Sequence, residues 1–397
     1  MAAMPTTPLH FRRVGFDPAP DLTEVRDTDG VRRIESPQLG ASIWLVTRVE
    51  DVRRVYGDPS RFRISAYHLV PGAPALTDEE LAPVRPGNLL AFDPPEHTRL
   101  RRLLAPEFTA RRMRRLEPRI HEIVDAHLDA VERKGPPADL VAEFALPVPA
   151  LVICELLGVP FEDRDEFQQR YAEFFDVTLS FERRLAVQYE SKAYLTELVA
   201  RARAEPGDDL LGMLARDESA DLDDRELVGI ADLLLLAGHE TTANMLGLGV
   251  LALLRHPEQF RLLREEPGRA DAAVEELLRW LTVVHTGVPR VATTEVELGG
   301  QAIGAGELII CSLPAANRDP ALVPDPDRFD IGRDAGSHVA FGHGVHHCLG
   351  APLARMEMRI AFPALVRRFP ALRTVGSYPD YRTQQVVYGL GSLPVTW

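Results

Sequence analysis

Apolar residues recur at three- and four-residue spacing through most of the chain beyond residue 90. This period is typical of amphipathic helices, and it predicts helices in RLRRLLAPEF, MRRLEPRIHEIVDAHLDAVER, VPALVICELLG, RDEFQQRYAEFF and YESKAYLTELVARARA. The run GIADLLLLAGHETTANMLGLGVLALL is apolar on nearly every side, which indicates a buried helix. The chain is therefore predicted to be mainly helical.

Two regions instead carry strand patterns. Residues 30–64 contain the β-prone pieces GVRRIES and ASIWLVTR before a helix-like VEDVRRVYG, and residues 290–313 alternate β-branched residues with glycines, which predicts two or three strands. Residues 65–90 are rich in proline and form a candidate lid, since long loops in compact domains are often functional. No repeat or linker divides the chain, so we expect one domain over 1–397, mainly α with small β-sheets.

Charge and cysteine usage narrow the class of protein. Lys and Arg number 45 against 59 Asp and Glu, a net charge of −14, which argues against nucleic acid as the main partner. Three distant cysteines (Cys154, Cys311 and Cys348) do not form a disulfide framework and suit a reducing compartment. The N-terminus lacks a basic segment followed by an apolar run. We expect a soluble, cytoplasmic protein without a membrane anchor.

One cysteine lies in an unusual loop, FGHGVHHCLG, at residues 341–350. A structural zinc site would need four spaced ligands, and a cysteine nucleophile would need a base placed elsewhere in the chain. A third interpretation is a single sulfur ligand to haem iron, with glycines that let backbone N–H groups approach. The helix-forming LGAPLARMEMRIAF follows Cys348 and would lower its pKa at a helix N-terminus, and Pro363 is expected to kink or end that helix.

The pattern FxxGxxxCxG, filled by Phe341, Gly344, Cys348 and Gly350, resembles the haem-binding loop of the cytochrome P450 family. The resemblance implies that the Cys348 thiolate is the axial ligand of a haem b iron, with Phe341 and Gly350 beside the cofactor. It also implies a cytochrome P450 fold, in which haem lies between the long oxygen-binding helix and the helix that follows the cysteine loop.

The segment AGHETT places a carboxylate and two hydroxyls in one turn of the apolar run. In one interpretation these side chains are structural and find hydrogen-bond partners on neighbouring helices. The segment is not the H-E-x-x-H motif of zinc proteases. Its similarity to the P450 oxygen-binding helix implies that Thr241 hydrogen-bonds iron-bound dioxygen and that Glu240 relays protons. Ala237 and Gly238 would then lie beside the cofactor, and Thr242 would be structural.

Glu276 and Arg279 are three residues apart in AAVEELLRW, so their side chains can meet on a helix. Alone, such a pair is usually a weak surface ion pair. The later segment PDRFD resembles the P450 meander, and this resemblance implies that Arg328 joins Glu276 and Arg279 in a buried structural network.

Two histidines and two arginines occupy positions that P450 relatives use to bind the haem propionates with cations or N–H donors. Each of them alone would suit a solvated surface. They are His97 and Arg101 in DPPEHTRLRRLL, Arg290 in VPRVA and His346 in the cysteine loop.

Eight arginines also lie between residues 99 and 119, either as an ordinary amphipathic face or as a basic patch. In P450-like enzymes this region faces an acidic ferredoxin, so we expect docking there.

The resemblance implies a monooxygenase that inserts one oxygen atom from O2 by hydroxylation or epoxidation. No Rossmann or flavin motif is visible, so electrons from NAD(P)H would arrive through ferredoxin and ferredoxin reductase. A peroxide-using peroxygenase and a non-catalytic recruitment protein stay open as alternatives. We expect a monomer.

The expected substrate is a bulky lipophilic molecule, because the pocket walls implied by the family are mostly apolar. These walls are the 65–90 loop, the helices around Phe174, Phe175 and Phe181, Leu236 and Ala237, the TVVHTGVP segment and the VVYGL turn. The C-terminal YGLGSLPVTW and the HETTAN helix resemble those of actinobacterial P450s that tailor macrolides and other polyketides. The alternative is a steroid, fatty-acid or xenobiotic hydroxylase. A further hypothesis is that His285, or Asp78, Glu79 and Glu80, grips a polar group.

Overall fold

The computed structural model describes residues 7–36, 41–65, 85–160, 163, 173, 179–376, 379–383 and 385–397. Most of the candidate lid and of the predicted helix RDEFQQRYAEFF lies outside these residues. The chain forms two compact units. Unit 1 comprises Met1–Ala75, Gly268–Cys348 and Tyr381–Gly389, and unit 2 comprises Leu76–Pro267, Leu349–Asp380 and Leu390–Trp397. The expectation of one domain over 1–397 stays a prediction.

Helices dominate the described residues, as the hydrophobic spacing predicts. In chain order they are α1 (Pro20–Asp27), α2 (Val49–Gly57), α3 (Glu96–Leu104), α4 (Ala110–Lys134), α5 (Pro147–Leu157), α6 (Phe181–Ala204), α7 (Leu210–Arg216), α8 (Asp224–Arg255), α9 (Pro257–Glu265), α10 (Ala270–Leu281), α11 (Leu313–Asn317) and α12 (Ala351–Arg368). No helix in the described ranges combines the length and the apolar composition needed to cross a membrane.

The strands are short. They are β1 (Arg13–Val14), β2 (Asp17–Pro18), β3 (Val31–Ser36), β4 (Ala41–Val46), β5 (Phe62–Ile64), β6 (Ala138–Asp139), β7 (Arg290–Ala292), β8 (Val296–Leu298), β9 (Gln301–Ile303), β10 (Leu308–Cys311), β11 (Arg373–Thr374), β12 (Asp380–Arg382), β13 (Gly389–Ser392) and β14 (Pro394–Thr396). The sequence predicts two or three strands in 290–313, whereas the structure has four, because β8 and β9 form a separate tight hairpin.

Unit 1 is built around a five-stranded sheet with the order β3-β4-β10-β7-β5. The central strand β10 is parallel to β4, with Ile309 opposite Trp44, and antiparallel to β7. Val46, Phe62 and Ile309 are fully buried in its core, together with Val52 on α2. The predicted strand–strand–helix order of residues 30–64 is therefore confirmed.

Unit 2 is mainly helical, and α8 is its longest described helix. An Asp223–Glu226 capping box starts α8: the Asp223 carboxylate accepts from Glu226 N at 2.8 Å, and Glu226 Oε2 accepts from Asp223 N at 3.3 Å. Most residues of α8 are buried, around most of the circumference of the helix, as the apolar run predicts.

The helix α12 continues past Pro363 to Arg368, so Pro363 does not end it. Buried neighbours such as Phe362 and Leu365 offset the hydrogen bond that proline cannot make.

Candidate functional site

The cysteine loop of unit 1 is closed by backbone hydrogen bonds. Cys348 N donates to Phe341 O at 2.9 Å, and His347 N donates to Gly344 O at 3.0 Å. The Cys348 thiol is exposed, whereas Cys154 and Cys311 are buried, and none of the three, all in described segments, forms a disulfide. The loop therefore holds one sulfur outward on a fixed backbone.

This arrangement fits a group that is held by one sulfur. A thiolate is an established axial ligand of haem iron. An added Cβ at Gly350 would find no heavy atom of the described residues within 4 Å, so open space adjoins this position. Among the same residues, no three or more His, Cys, Asp or Glu side chains are grouped to hold a metal ion. The donor set of this loop suits haem.

The predicted pairing of Glu276 and Arg279 on α10 is present and fully buried. Arg279 Nε donates to Glu276 Oε2 at 2.8 Å and Nη2 donates to Oε1 at 2.9 Å, with both side chains 0% exposed. Arg279 Nη1 also donates to the carbonyls of Asn317 and Pro326 at 2.9 and 2.8 Å. A bidentate pair of this kind fixes the orientation of the Arg279 guanidinium. The bond from Arg279 Nη1 to the Pro326 carbonyl then ties α10 to the meander.

The third member of the network is Arg333, and the prediction of Arg328 is wrong. Arg333 Nε lies 3.2 Å from Glu276 Oε1 and its side chain is 13% exposed, whereas the Arg328 side chain is 64% exposed and lies 3.4 Å from Asp330. The cause is the path of the backbone: Asp330 N donates to Glu276 Oε1 at 3.0 Å. The chain just after Arg328 therefore turns towards Glu276 and brings Arg333 with it.

Asn317 connects this network to the start of the cysteine loop, and sequence reasoning missed it. Its Oδ1 accepts from Val339 N at 2.7 Å, and its Nδ2 donates to Thr282 Oγ1 at 2.9 Å. The side chain is fully buried. An asparagine in NRDP gives no local signal of such a role, because both contacts are distant in sequence.

Two of the predicted propionate ligands lie in unit 1. Arg290 is 2% exposed, and its Nη1 donates to Val288 O at 3.0 Å. Its guanidinium carbon lies 5.1 Å from the centre of the Tyr56 ring, within cation–π range. His346 ends the 3-10 turn Gly344–His346 of the cysteine loop. Arg290 is therefore not a solvated surface residue.

The other two predicted propionate ligands, His97 and Arg101, lie one turn apart on α3 in unit 2. His97 is 2% exposed and Arg101 is partly exposed. Arg99 between them pairs with Glu96 at 2.6 Å and also with Glu226 at the start of α8. These ion pairs join α3 to the start of α8, the helix that carries the AGHETT segment within the same unit.

The AGHETT segment of α8 makes its hydroxyl hydrogen bonds along the helix. Thr241 Oγ1 donates to Ala237 O at 2.9 Å, and Thr242 Oγ1 donates to Gly238 O at 3.3 Å. Bonds of this type compete with the helical ladder and can bend a helix. Thr241 is partly exposed, whereas Thr242 is buried, so the two threonines have different access to a ligand.

Glu240 is 1% exposed and is oriented by Asn244. Asn244 Nδ2 donates to Glu240 Oε1 at 2.9 Å and to Glu240 O at 2.8 Å, and His239 Nε2 lies 3.8 Å from Glu240 Oε2. The spacing of four residues in HETTAN could have signalled this pair. An added Cβ at Gly238 would lie 3.0 Å from Ile153 Cδ1, so this glycine lets α5 approach α8 closely.

The structure gives no support to a substrate grip by His285. Its side chain is 0% exposed, and its ring lies 5.2 Å from that of Phe11 and 5.7 Å from that of Tyr388. Burial, followed by the nearby Arg13 and His10, lowers the pKa of His285 well below 6.5. His285 is a neutral residue packed under the N-terminal segment. The acids at 78–80, Phe174 and Phe175 and the Phe181 side chain lie outside the described residues.

Comparisons with known proteins agree with this geometry. A family model described as Cytochrome P450 matches residues 191–387. "Cytochrome P450 FAS1" of Rhodococcoides fascians is 49% identical over 400 residues, covering 100% of both chains. "Mycinamicin IV hydroxylase/epoxidase" of Micromonospora griseorubida is 42% identical, covering 94% of both. The solved structure of P450 StaH from glycopeptide antibiotic A47934 biosynthesis is 48% identical with a TM-score of 0.86, covering 98% of this chain and 100% of that one. The chain therefore belongs to the cytochrome P450 family of monooxygenases.

Proposed function

We propose that Cys348 binds the iron of haem b and that His97, Arg101, Arg290 and His346 bind its propionates. Haem b is the cofactor of this family, and when bound it supplies the iron that activates dioxygen. The observation that carries the proposal is the exposed Cys348 thiol, because the other two cysteines are buried. The burial of Arg290 supports its propionate role, since a buried cation is stabilised by an anionic partner, and the buried His97 supplies an N–H donor.

The proposal extends to the residues around the cofactor. Phe341 and Gly350 belong to the loop that holds it, and Ala237 and Gly238 border it on α8. The backbone bond from Cys348 N to Phe341 O at 2.9 Å supports the role of Phe341, because it keeps the sulfur at a fixed distance from that residue.

Thr241 and Glu240 carry the proton chemistry in this proposal. Thr241 is partly exposed and presents its hydroxyl to dioxygen, and Glu240 holds a proton at its carboxyl oxygen and passes it on. Asn244 fixes Glu240 Oε1 at 2.9 Å, which sets the direction of the second carboxyl oxygen. Product formed per NAD(P)H consumed tests both roles. It should fall strongly in Thr241→Ala and Glu240→Gln, while Thr242→Val should leave it near wild type.

The ferrous carbonyl spectrum tests the haem ligand. Wild type and Cys154→Ala should both show the red-shifted Soret band that thiolate ligation gives, whereas Cys348→Ser should lose it. A red-shifted band in Cys348→Ser would overturn the assignment. Turnover with hydrogen peroxide alone, at rates matching those with redox partners, would favour the peroxygenase alternative.

We further propose that the substrate is a bulky lipophilic secondary metabolite of the polyketide or macrolide type. The name of one relative, a mycinamicin IV hydroxylase/epoxidase, supports this class, and that of a second, from glycopeptide antibiotic A47934 biosynthesis, supports only the broader class of secondary metabolites. Titration with macrolides, other polyketides, glycopeptides, steroids and fatty acids tests it through the low-spin to high-spin Soret shift. Tight binding of a steroid or fatty acid alone would instead indicate a catabolic hydroxylase.

Class I bacterial members of the family take electrons from NAD(P)H through redox partners. We propose that a ferredoxin, reduced by a ferredoxin reductase, docks on the arginines between 99 and 119. Arg102, Arg111, Arg114 and Arg115 are exposed, and they can steer an acidic partner on an acidic protein. Arg111→Glu with Arg115→Glu should slow reduction by ferredoxin and weaken its salt dependence. Arg373→Glu, another exposed arginine, is the control and should do neither.

We also propose that the protein works as a monomer in the cytoplasm, where NAD(P)H is available. Sedimentation velocity of the haem-loaded protein tests the oligomeric state, and fractionation of the producing cells tests the compartment.

A further inference from the structure

The last turn of α2 supports the cysteine loop in unit 1. Arg53 donates a hydrogen bond to the Ser337 carbonyl. Gly344 has a φ of 71°, in the left-handed region, and an added Cβ there would collide with the Tyr56 carbonyl. Glycine at 344 thus permits both the positive φ and the close approach of the Tyr56 carbonyl. The loop lies directly against the Tyr56 backbone.

The Tyr56 side chain reaches the strand that carries Arg290. Tyr56 is 3% exposed, and its ring centre lies 5.1 Å from the Arg290 guanidinium carbon. An added Cβ at Gly287 would lie 2.5 Å from Tyr56 Oη, so this glycine makes room for the phenol. One aromatic residue thus contacts the Arg290 side chain while its main chain abuts the cysteine loop.

The chemistry around Tyr56 leaves the charge of Arg290 intact. Burial raises the pKa of the Tyr56 phenol well above 10 and that of the neighbouring Cys311 thiol to about 12. Both groups are therefore neutral at physiological pH. The ring attracts the guanidinium through its π face without cancelling its charge, so this contact is compatible with an anionic ligand of Arg290.

We propose that Tyr56 is a positioning residue that orients the Arg290 guanidinium towards a haem propionate. The inference rests on the proposed role of Arg290 at that propionate. Arg290 Nη1 donates to Val288 O at 3.0 Å, and the ring adds a second restraint on the orientation of the guanidinium plane. The close approach of Gly344 to the Tyr56 carbonyl fixes the main chain that carries the ring, and Gly287 adjoins the phenol.

The rate of haem transfer from the ferric holoprotein to apomyoglobin tests this role. Tyr56→Met removes the ring while filling much of its volume, and Tyr56→Phe keeps the ring without the hydroxyl. We expect transfer to be roughly tenfold faster in Tyr56→Met, as a cation–π contact of typical strength implies, and close to wild type in Tyr56→Phe. Tyr56→Leu replaces Tyr56→Met if the latter does not fold. Equal rates in Tyr56→Met and Tyr56→Phe would overturn the inference.

A double variant separates positioning from general support. If Tyr56 acts through Arg290, Tyr56→Met combined with Arg290→Gln should transfer haem no faster than Arg290→Gln alone. Multiplying effects would show a merely structural role and overturn the inference. An unchanged rate in Arg290→Gln would overturn the proposed propionate role itself. A faster rate in Arg290→Gln with an unchanged rate in Tyr56→Met would overturn the role of Tyr56 only.

Discussion

The arginine that supports Glu276 can be identified by removing each of two arginines in the same segment. Arg333 has a 13% exposed side chain with its Nε 3.2 Å from Glu276 Oε1, and it donates to three backbone carbonyls at 2.7, 3.1 and 2.9 Å. The Arg328 side chain is 64% exposed. The two variants Arg333→Ala and Arg328→Ala therefore differ in burial and contacts while making the same chemical change.

The expected magnitudes differ several-fold. A hydrogen bond to a charged group contributes roughly 1.5–3 kcal/mol, but the contacts of one side chain are not additive, and Glu276 keeps Arg279. We expect Arg333→Ala to lower the free energy of unfolding by about 3 kcal/mol. This is a large share of the roughly 5–15 kcal/mol that stabilises a typical protein. Arg328→Ala loses only an exposed ion pair, and we expect less than about 0.5 kcal/mol.

Urea unfolding followed by circular dichroism, with the haem-to-protein ratio after purification, measures both effects. Arg333→Ala should bind less haem, and Arg328→Ala should match wild type. Arg333→Lys should be intermediate, because lysine keeps the charge but not the planar fork of donors. If Arg328→Ala lost as much stability as Arg333→Ala, or Arg333→Ala lost less than about 1 kcal/mol, the assignment of Arg333 would be refuted.

Three further predictions concern buried polar groups. Asn244→Ala removes the 2.9 Å bond to Glu240 Oε1 and should lower product formed per NAD(P)H several-fold; unchanged coupling would show that Glu240 needs no such orientation. Burial lowers the pKa of His10 to about 4 and that of His285 well below 6.5, so the folded state loses stability as pH falls below about 6.5, where the unfolded rings take up protons. Each ring should account for about 2 kcal/mol near pH 5, and His285→Leu should flatten the decline of the urea midpoint; an unchanged slope counts against this. Burial raises the pKa of Glu357 well above 4.5. The folded state therefore holds this proton more tightly than the unfolded state, and that contribution to stability is lost as pH rises above 4.5. Glu357→Gln should raise the unfolding free energy at neutral pH by about 1–3 kcal/mol and not at acid pH, and equal midpoints at neutral pH would refute the account.

The sequence was informative where local periodicity and burial coincide. The apolar run became α8, a helix that is buried around most of its circumference. GVRRIES and ASIWLVTR became β3 and β4 because they contain Val, Ile and Trp, which favour strands. It was less informative for β8 and β9, whose three-residue strands are too short to show a period. Pro363 does not end α12, because packing around a buried helix overrides a propensity, and a kink at this residue stays a prediction.

Within the site, motif positions were predictable and their partners were not. The resemblance identifies Cys348 and the AGHETT segment, since these depend on spacing within one element. The choice between Arg328 and Arg333 depends on how the backbone turns at Asp330, which contacts a residue 54 positions earlier. The packing of His285 against Phe11 was likewise not predictable, because the two residues are distant in sequence.

The polar groups of unit 1 suggest why the cysteine loop depends on buried charges and amides. A buried ion pair adds little net stability relative to an apolar replacement of similar volume, because desolvation opposes the Coulomb attraction. Glu276 and Arg279 nevertheless lie at 0% exposure, and Asn317 continues their contacts to Val339 N at 2.7 Å, two residues before Phe341. The hydrophobic effect is non-directional, whereas hydrogen bonds lose strength steeply with distance and angle. A chain of directional bonds from α10 through Asn317 therefore fixes the backbone at Val339, and the Phe341 carbonyl two residues later accepts from Cys348 N at 2.9 Å; the proposed role of Cys348 as a single sulfur ligand would require a backbone held in this way.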